Sequence, residues 1–317
     1  MDEQVIGVAG LGLLGRGIVT SFLSRGFRVV ALEPGDAVRD DARRYIETGI
    51  GELVTRGGMP QSLLNEWQAR YRVTTDVADL APCAFVVESI FEDPDAKRAL
   101  YDQLERIVGP AVPIASNTSA LPISALQKGR VHPERFVGMH WAMPCHLTWF
   151  LEVIRGEQTN EATLEAAIAL GKRAGKDPTL VQKDVEGFIV NRVAYAAYRE
   201  ALWLLENGVA DVDTIDRSIR NARSVWGNLI GPFRWMDISG LPGYAAVMDR
   251  LFPALSCAQG TPKVFRELID SGAKGISNGK GFYDYTPEEA ERWRKLLIEN
   301  VWRIREVNED LLESGAE

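Results

Sequence analysis

"VIGVAGLGLLG", residues 5–15, is a short β-branched run that passes straight into a second group of glycines. Val5 to Gly10 reads as a buried strand, too short for a helix and too apolar to face water on both sides. Leu13 to Arg25 reads as a helix that ends before Gly26. Between them Gly10, Gly12 and Gly15 keep the G-x-G-x-x-G spacing. The spacing alone is weak, because glycines are common at turns; the strand before it and the helix after it give it content. Gly10 can make the tight turn, Gly12 lets the backbone approach a pyrophosphate, and Gly15 lets helix pack closely on strand. Leu13 and Leu14 complete the loop beneath the phosphates, which sit at the helix N-terminus. The second strand, "FRVVALE", ends on Glu33, close to the ~20-residue spacing at which a carboxylate bonds the ribose hydroxyls. A carboxylate there repels a 2′-phosphate, so the expected cofactor is NAD rather than NADP.

Working outward, Asp36–Arg56 and Gln61–Arg70 read as helices. "AFVVESI" (84–90) is a buried strand followed by a helix from Pro94, and "VPIASN" (112–117) repeats the strand pattern. Strand alternating with helix implies α/β architecture: a doubly wound, mostly parallel sheet of Rossmann type. Shorter strands are expected at "RFVGMHW", "FLEVIR" and "TLVQK". From Gly187 the character changes, because "GFIVNRVAYAAYREALWLLENG" is a long helix closed by glycine and no comparable strand follows. The chain therefore divides into an NAD-binding domain, 1–185, and an all-helical domain, 186–317. The last helix, Pro287 to Glu313, aligns Trp293, Leu297, Val301, Ile304 and Leu311 in one stripe, expected to pack on its own domain, with contact to a second subunit as the alternative.

A chain of 317 residues exceeds a typical single core, which agrees with two domains. A net charge of −8 and the absence of basic runs argue against a nucleic-acid surface. Cys83, Cys145 and Cys257 are too far apart in sequence to suggest a disulfide framework or zinc spacing, which points to a reducing compartment. "MDEQ" runs at once into the first strand, with no signal-peptide pattern, and no apolar run approaches the ~20 residues of a membrane helix. A cytoplasmic protein with no membrane, metal or nucleic-acid partner is the expectation.

Chemistry enters with "GMHWAMPCHLTWFLEVI" (138–154), apolar except for a few residues, among them His140 and Glu152. Alone they read as a satisfied buried pair. "VPIASN" runs into Thr118 and Ser119, and in an open parallel sheet the ligand crevice lies at the carboxyl ends of the strands. That puts Asn117 and Ser119 near a nicotinamide, although "NTS" is also an ordinary turn sequence. His132, in a loop before Pro133, and His146, without a second ligand at sensible spacing, read as structural.

Taken in order, "GLGLLGRG", "VVESIFED…K", "ASNTSALPIS", "GMHW…P", "LEVI", "GFIVNR", "GPF…D" and "GKGFYDY" resemble the 3-hydroxyacyl-CoA dehydrogenase family over essentially the whole chain. Length and C-terminal helix look closer to the L-gulonate 3-dehydrogenase (lambda-crystallin) and carnitine 3-dehydrogenase branch. Some stretches also look like a pyridine-derivative dehydrogenase. The resemblance implies His140 as catalytic base, Glu152 as its partner, and Ser119 and Asn191 as contacts to the reacting substrate. It places Glu92 and Lys97 near the nicotinamide half of the cofactor and implies a homodimer through the helical domain. The physical chemistry agrees. Oxidising a secondary alcohol needs a base that works near neutrality, and imidazole is one. A carboxylate on its far nitrogen fixes the tautomer, and amide and hydroxyl donors stabilise the oxygen.

Two rivals are weaker. "GISNG" (275–279) matches G-x-S-x-G, but a nucleophile elbow needs a strand before it and a helix after, and neither is expected there. A non-enzymatic, crystallin-like role would fit loss of the catalytic positions, and all four are present. Departures from the family surround the substrate: Met143 stands where an asparagine is usual, Trp149 where lysine or proline is common, and Ser277 where a lysine commonly lies. Trp141, Trp149, Trp226 and Trp235 are candidates to line an apolar pocket, with core packing the more common role for such side chains. The arm from Asp36 to Arg70 has five arginines, six carboxylates and no lysine, a net −1 that suits a CoA ester poorly. The expected substrate is a small non-CoA β-hydroxy carbonyl compound, with a true L-3-hydroxyacyl-CoA dehydrogenase as the alternative.

Overall fold

The computed structural model describes residues 4–313. Its first unit alternates strand and helix: β1 (Val5–Ala9), α1 (Leu13–Ser24), β2 (Arg28–Leu32), α2 (Asp36–Thr55), α3 (Leu63–Arg70) and β3 (Tyr71–Thr74). It continues through β4 (Phe85–Glu88), α4 (Pro94–Ile107), β5 (Ile114–Ser116), α5 (Ile123–Gln127), β6 (Phe136–Trp141), β7 (Phe150–Ile154), α6 (Glu161–Arg173) and β8 (Asp177–Val181). The strands form one sheet in the order β3-β2-β1-β4-β5-β6-β7-β8, parallel throughout except for the antiparallel β6–β7 pair. The doubly wound Rossmann-type sheet read from the sequence is therefore present. Only β3 had no expected counterpart: "YRVT" is short, at the sheet edge, and carries no alternating burial to reveal it.

The order reverses at β1, which has β2 on one side and β4 on the other. The crevice above the carboxyl ends of β1 and β4 is where this topology admits a ligand. One face of the sheet is covered by α1 through Ile18, Val19, Phe22 and Leu23, all fully buried, and by α2 and α6 residues of the same apolar cluster. Each such side chain contributes roughly 1.5–3 kcal/mol. The opposite face is covered by α4 and α5, whose Leu100, Tyr101, Leu104, Ile123 and Leu126 belong to a second cluster.

Compact division of the chain falls after Arg192. It is crossed by α7 (Val190–Glu206), which leads into α8 (Val212–Gly227), α9 (Pro232–Ser239), α10 (Leu241–Leu251), α11 (Lys263–Asp270) and α12 (Pro287–Glu313). No strand is assigned after Val181 among the described residues. In α12 the expected stripe is only partly buried, with Val301, Ile304 and Leu311 half-buried. Trp293 and Leu297 are about half exposed, while Trp302, outside the stripe, is buried. Trp226 and Trp235 stack flat on each other at 4.7 Å. No described helix is long and apolar enough to cross a membrane.

Candidate active site

The glycine loop between β1 and α1 has the shape of a phosphate cradle. Gly10 has φ +97°, and a Cβ there would stand 2.5 Å from the Ser89 carbonyl oxygen at the end of β4. A Cβ on Gly15 would meet the Gly10 carbonyl oxygen at 2.0 Å. Gly12 differs: nothing lies within 4 Å of a Cβ built on it. It is also the N-cap of α1 and caps nothing with a side chain. Open space therefore meets uncapped N–H groups at the positive end of a helix, where an anion is favoured. Beside it, a concave space of about 350 Å³ is bounded by Leu11, Gly12, Leu13, Arg16, Val38 and Asp41. Glu33 is held at this edge, Oε2 accepting from Leu11 N at 3.0 Å and Oε1 from Gly35 N at 2.9 Å. These features fit a dinucleotide with an unphosphorylated ribose.

Antiparallel pairing of β6 and β7 sets His140 directly opposite Glu152. Their side chains meet at 2.8 Å, His140 Nδ1 to Glu152 Oε2, and both are buried. The other carboxylate oxygen accepts from Ile189 N at 3.0 Å and Val190 N at 2.9 Å, the N–H groups at the start of α7. Glu152 thus orients the imidazole and caps a helix at once. The turn that brings those N–H groups round uses Gly187 at φ +73° and Phe188 at φ +50°, an unusual backbone for a bulky side chain. Phe188 is buried and packs 5.7 Å from the His140 ring, and Phe150 meets that ring edge-on at 5.5 Å.

One residue past Val190, Asn191 donates from Nδ2 to the Ser119 carbonyl at 3.0 Å. Ser119 itself is exposed, on the loop that leaves β5. Its N–H donates to Glu92 Oε1 at 3.0 Å, as does the Thr118 hydroxyl. Burial alone would raise the Glu92 pKa, but the Thr118 hydroxyl, the Lys97 ammonium and the Ser119 N–H together hold it below its ordinary value. Lys97 is fully buried, its ammonium 2.6 Å from Glu88 Oε1 and 3.3 Å from Glu92 Oε2. Asn117 ties two strand ends together: it donates to Ser89 Oγ at 3.0 Å and accepts from Trp141 N at 2.9 Å.

His140, Glu152, Asn191, Ser119, Glu92 and Lys97 are thus linked either directly or through adjacent backbone. Glu88 was not singled out in sequence, although it lies in the quoted "VVESIFED". A carboxylate inside an otherwise apolar strand was the available signal. Nothing in sequence announced Phe188 or the backbone N–H groups of residues 189 and 190. Trp141 is not a pocket residue; it is buried and stacks edge-on with Phe22 in the core. Met143 is about half exposed in the β6–β7 connection. His146 packs against Tyr45 and Glu52. No cluster of potential metal ligands occurs among the described residues. "GISNG" follows α11 as a turn, with isolated bridges linking Gly275, Lys280 and Asp284, so the strand–elbow–helix of a hydrolase is absent there.

Residues 5–185 match the NAD binding domain of 3-hydroxyacyl-CoA dehydrogenase, and residues 187–285 match its C-terminal domain. A 5-formyl-3-hydroxy-2-methylpyridine 4-carboxylate 5-dehydrogenase of Mesorhizobium japonicum is 34% identical over 315 residues, covering 96% of this chain and 99% of the relative. A probable 3-hydroxybutyryl-CoA dehydrogenase of Deinococcus radiodurans is 34% identical over 283 residues, covering 88% and 99%. Among solved structures, an NAD+-dependent 5-formyl-3-hydroxy-2-methylpyridine 4-carboxylic acid 5-dehydrogenase superposes with a TM-score of 0.88, at 32% identity and 97% and 98% coverage. The cofactor of this chain is NAD.

Proposed function

This chain belongs to the 3-hydroxyacyl-CoA dehydrogenase family and is an NAD-dependent oxidoreductase acting on a CH–OH group; we propose that it interconverts a small, non-CoA β-hydroxy carbonyl compound and its 3-oxo form. The observation that carries this reading is the linkage of His140, Glu152, Asn191 and Ser119 into one site. Bound NAD supplies the hydride acceptor. With Nδ1 engaged by Glu152, His140 has Nε2 left to take the hydroxyl proton, and Glu152 stabilises the imidazolium that results. The Ser119 hydroxyl and the second amide N–H of Asn191 are donors for the substrate oxygen. Gly10, Gly12, Leu13, Leu14, Gly15 and Glu33 hold the adenosine diphosphate half of the cofactor, and Glu92 and Asn117 border its nicotinamide half, with the buried Lys97 behind Glu92.

Three things support a small substrate. A relative covering nearly the whole chain is named for a pyridine carboxylate. The arm of α2 and α3 has no lysine to meet CoA phosphates. Met143 replaces a polar side chain near the substrate, and Phe150 and Phe188 crowd His140. The Deinococcus relative keeps the hydroxyacyl-CoA reading as the alternative. NADH formation across paired panels decides between them: L-3-hydroxyacyl-CoA esters against free β-hydroxy acids, ketones and small esters, aromatic ones included. Turnover confined to the small compounds is expected; saturation by hydroxybutyryl-CoA at micromolar levels with little turnover of the others overturns it. A substrate such as L-gulonate or carnitine would place the chain in the branch its length suggests.

The remaining readings concern assembly and place. The helical domain is proposed to supply substrate contacts and a homodimer interface, since Tyr195, Val225, Phe233 and Ile238 are each two-thirds or more exposed. Light scattering giving the 35.1 kDa monomer mass ends the dimer. Three unpaired cysteines support a reducing, cytoplasmic setting.

A further inference from the structure

Glu88 has no part in the chemistry described above, yet it is among the most heavily bonded side chains in the first unit. It closes β4, between Ala9 of β1 and Ser116 of β5, and is fully buried. Its Oε1 accepts from Lys97 Nζ at 2.6 Å and Ile90 N at 2.9 Å. Its Oε2 accepts from Tyr101 Oη at 2.6 Å and Ser116 Oγ at 2.7 Å. Burying a carboxylate so completely is costly unless every lone pair is met, and an apolar residue on this strand would avoid that cost. What the carboxylate achieves is to place an equally buried ammonium. Lys97, so held, points its charge at Glu92, which in turn grips the Thr118 hydroxyl and the N–H groups of Ser119 and Ala120.

We infer that Glu88 is a positioning residue for the reaction: through Lys97 and Glu92 it fixes the loop that presents Ser119. The relay balances at one net negative charge, shared by two carboxylates and one ammonium, and the Tyr101 and Ser116 hydroxyls offset the rest. The tyrosine remains a donor in it, since burial first and the Glu88 charge second push its pKa well above the ordinary value. The Ser119 peptide is then fixed at both ends, its N–H by this relay and its carbonyl by Asn191. A serine whose backbone is clamped on both sides offers its hydroxyl from a defined place, which matters because small misplacements near the reacting centre are costly in rate. In this arrangement Lys97 acts by way of Glu92, its own ammonium being enclosed.

The inference rests on the proposed role of Ser119 as a substrate contact, and the test separates the two. Backbone hydrogen exchange reads the relay without turnover. In Glu88→Gln the amides of Ser119 and Ala120 should exchange about tenfold faster, the scale expected on weakening a charge-assisted hydrogen bond, with β1 and β6 amides unchanged. Tyr101→Phe, which removes one hydroxyl and keeps the ring, should shift the same amides in the same direction by a smaller factor. On a substrate from the panels above, Glu88→Gln should lower kcat with little change in NAD affinity, and the effect should vanish in a Ser119→Ala background, as a double-mutant cycle requires of residues acting through one another. Unchanged exchange at residues 119 and 120 in a folded Glu88→Gln protein overturns the inference. So does an equal kcat loss in the Ser119→Ala background. If Glu88→Gln does not fold, Tyr101→Phe decides, and wild-type exchange in it overturns the inference. Accelerated exchange in a protein that turns over no compound leaves the relay standing and removes the proposed function instead.

Discussion

Glu152 serves two masters through its two oxygens: Oε2 lies 2.8 Å from His140 Nδ1, while Oε1 receives the N–H groups of Ile189 and Val190 that open α7. A carboxylate can accept on both sides. An amide offers one acceptor only: with its NH2 group toward α7 it opposes two backbone N–H groups, and with its NH2 group toward His140 it makes the ring carry its proton on Nε2 instead of Nδ1.

Glu152→Gln should therefore cost turnover in either orientation of the amide. If the amide oxygen faces His140, the NH2 group opposes two backbone N–H groups; if it is flipped, Nδ1 accepts from the NH2 group and the ring proton moves to Nε2, which can then no longer take the substrate proton. The first orientation leaves buried donors unmatched at a cost of about 1–3 kcal/mol, so the flipped one is preferred, and kcat should fall severely with little change in the thermal unfolding temperature. His140→Ala should lose turnover by on the order of 10²–10⁴-fold, with NAD affinity, measured by fluorescence titration, near that of wild type. A Glu152→Gln protein with wild-type rate removes Glu152 from the site.

Gly12 and Gly15 separate binding from folding. A methyl on Gly15 collides with the Gly10 carbonyl oxygen at 2.0 Å, so Gly15→Ala should lower stability and abolish NAD binding together. Gly12→Ala meets nothing of the protein within 4 Å. It should melt as wild type while its NAD affinity falls at least about tenfold, because the methyl occupies the approach to the pyrophosphate. Calorimetric titration beside thermal melts checks both, and unaltered NAD affinity in Gly12→Ala would place the phosphates elsewhere.

The three thiols should react in two classes. Cys83 and Cys145 are buried, and burial pushes each thiol up to about 12. Cys257 is exposed. At pH 8 a thiol-specific disulfide reagent should modify Cys257 quickly and the other two only on denaturation. Rapid labelling of all three in native protein contradicts the packing of Gly17 and α1 against Cys145.

Acid should loosen the Ser119 loop through Glu92. Its folded pKa lies below the ordinary carboxylate value, so its contribution is complete above that value and is lost as pH falls through the lower folded one. The difference in melting temperature between wild type and Glu92→Gln should accordingly be largest near neutrality and shrink below about pH 4. A difference that grows on acidification contradicts this sign.

Much of the first unit was legible because its signals are local. A strand of β-branched residues, three spaced glycines and a carboxylate closing the next strand lie within one β–α–β unit. Steric necessity at Gly10 and Gly15 leaves such a sequence few other folds. "FLEVI" and "RFVGMHW" could be read as strands for the same reason. Position in α12 was only partly legible: helical periodicity found a stripe that is half-buried at Val301 and Ile304, but the buried residues, Ala290 and Trp302, lie outside it, since burial depends on which neighbours arrive.

The site itself was divided in the same way. Sequence determined which groups are available: an imidazole and a carboxylate in an apolar run, a hydroxyl after β5 and an amide at the start of α7. Tertiary structure decided what each one touches. Cross-strand register put Glu152 opposite His140, an unusual backbone at Phe188 turned two N–H groups onto its second oxygen, and Asn191 reached the Ser119 carbonyl. The same holds for Glu88, which in sequence is one carboxylate in a strand and in the fold meets donors from α4, β5 and its own turn. Hydrogen bonds are short and directional, so partners far apart in the chain are fixed only when the sheet and helices have closed around them.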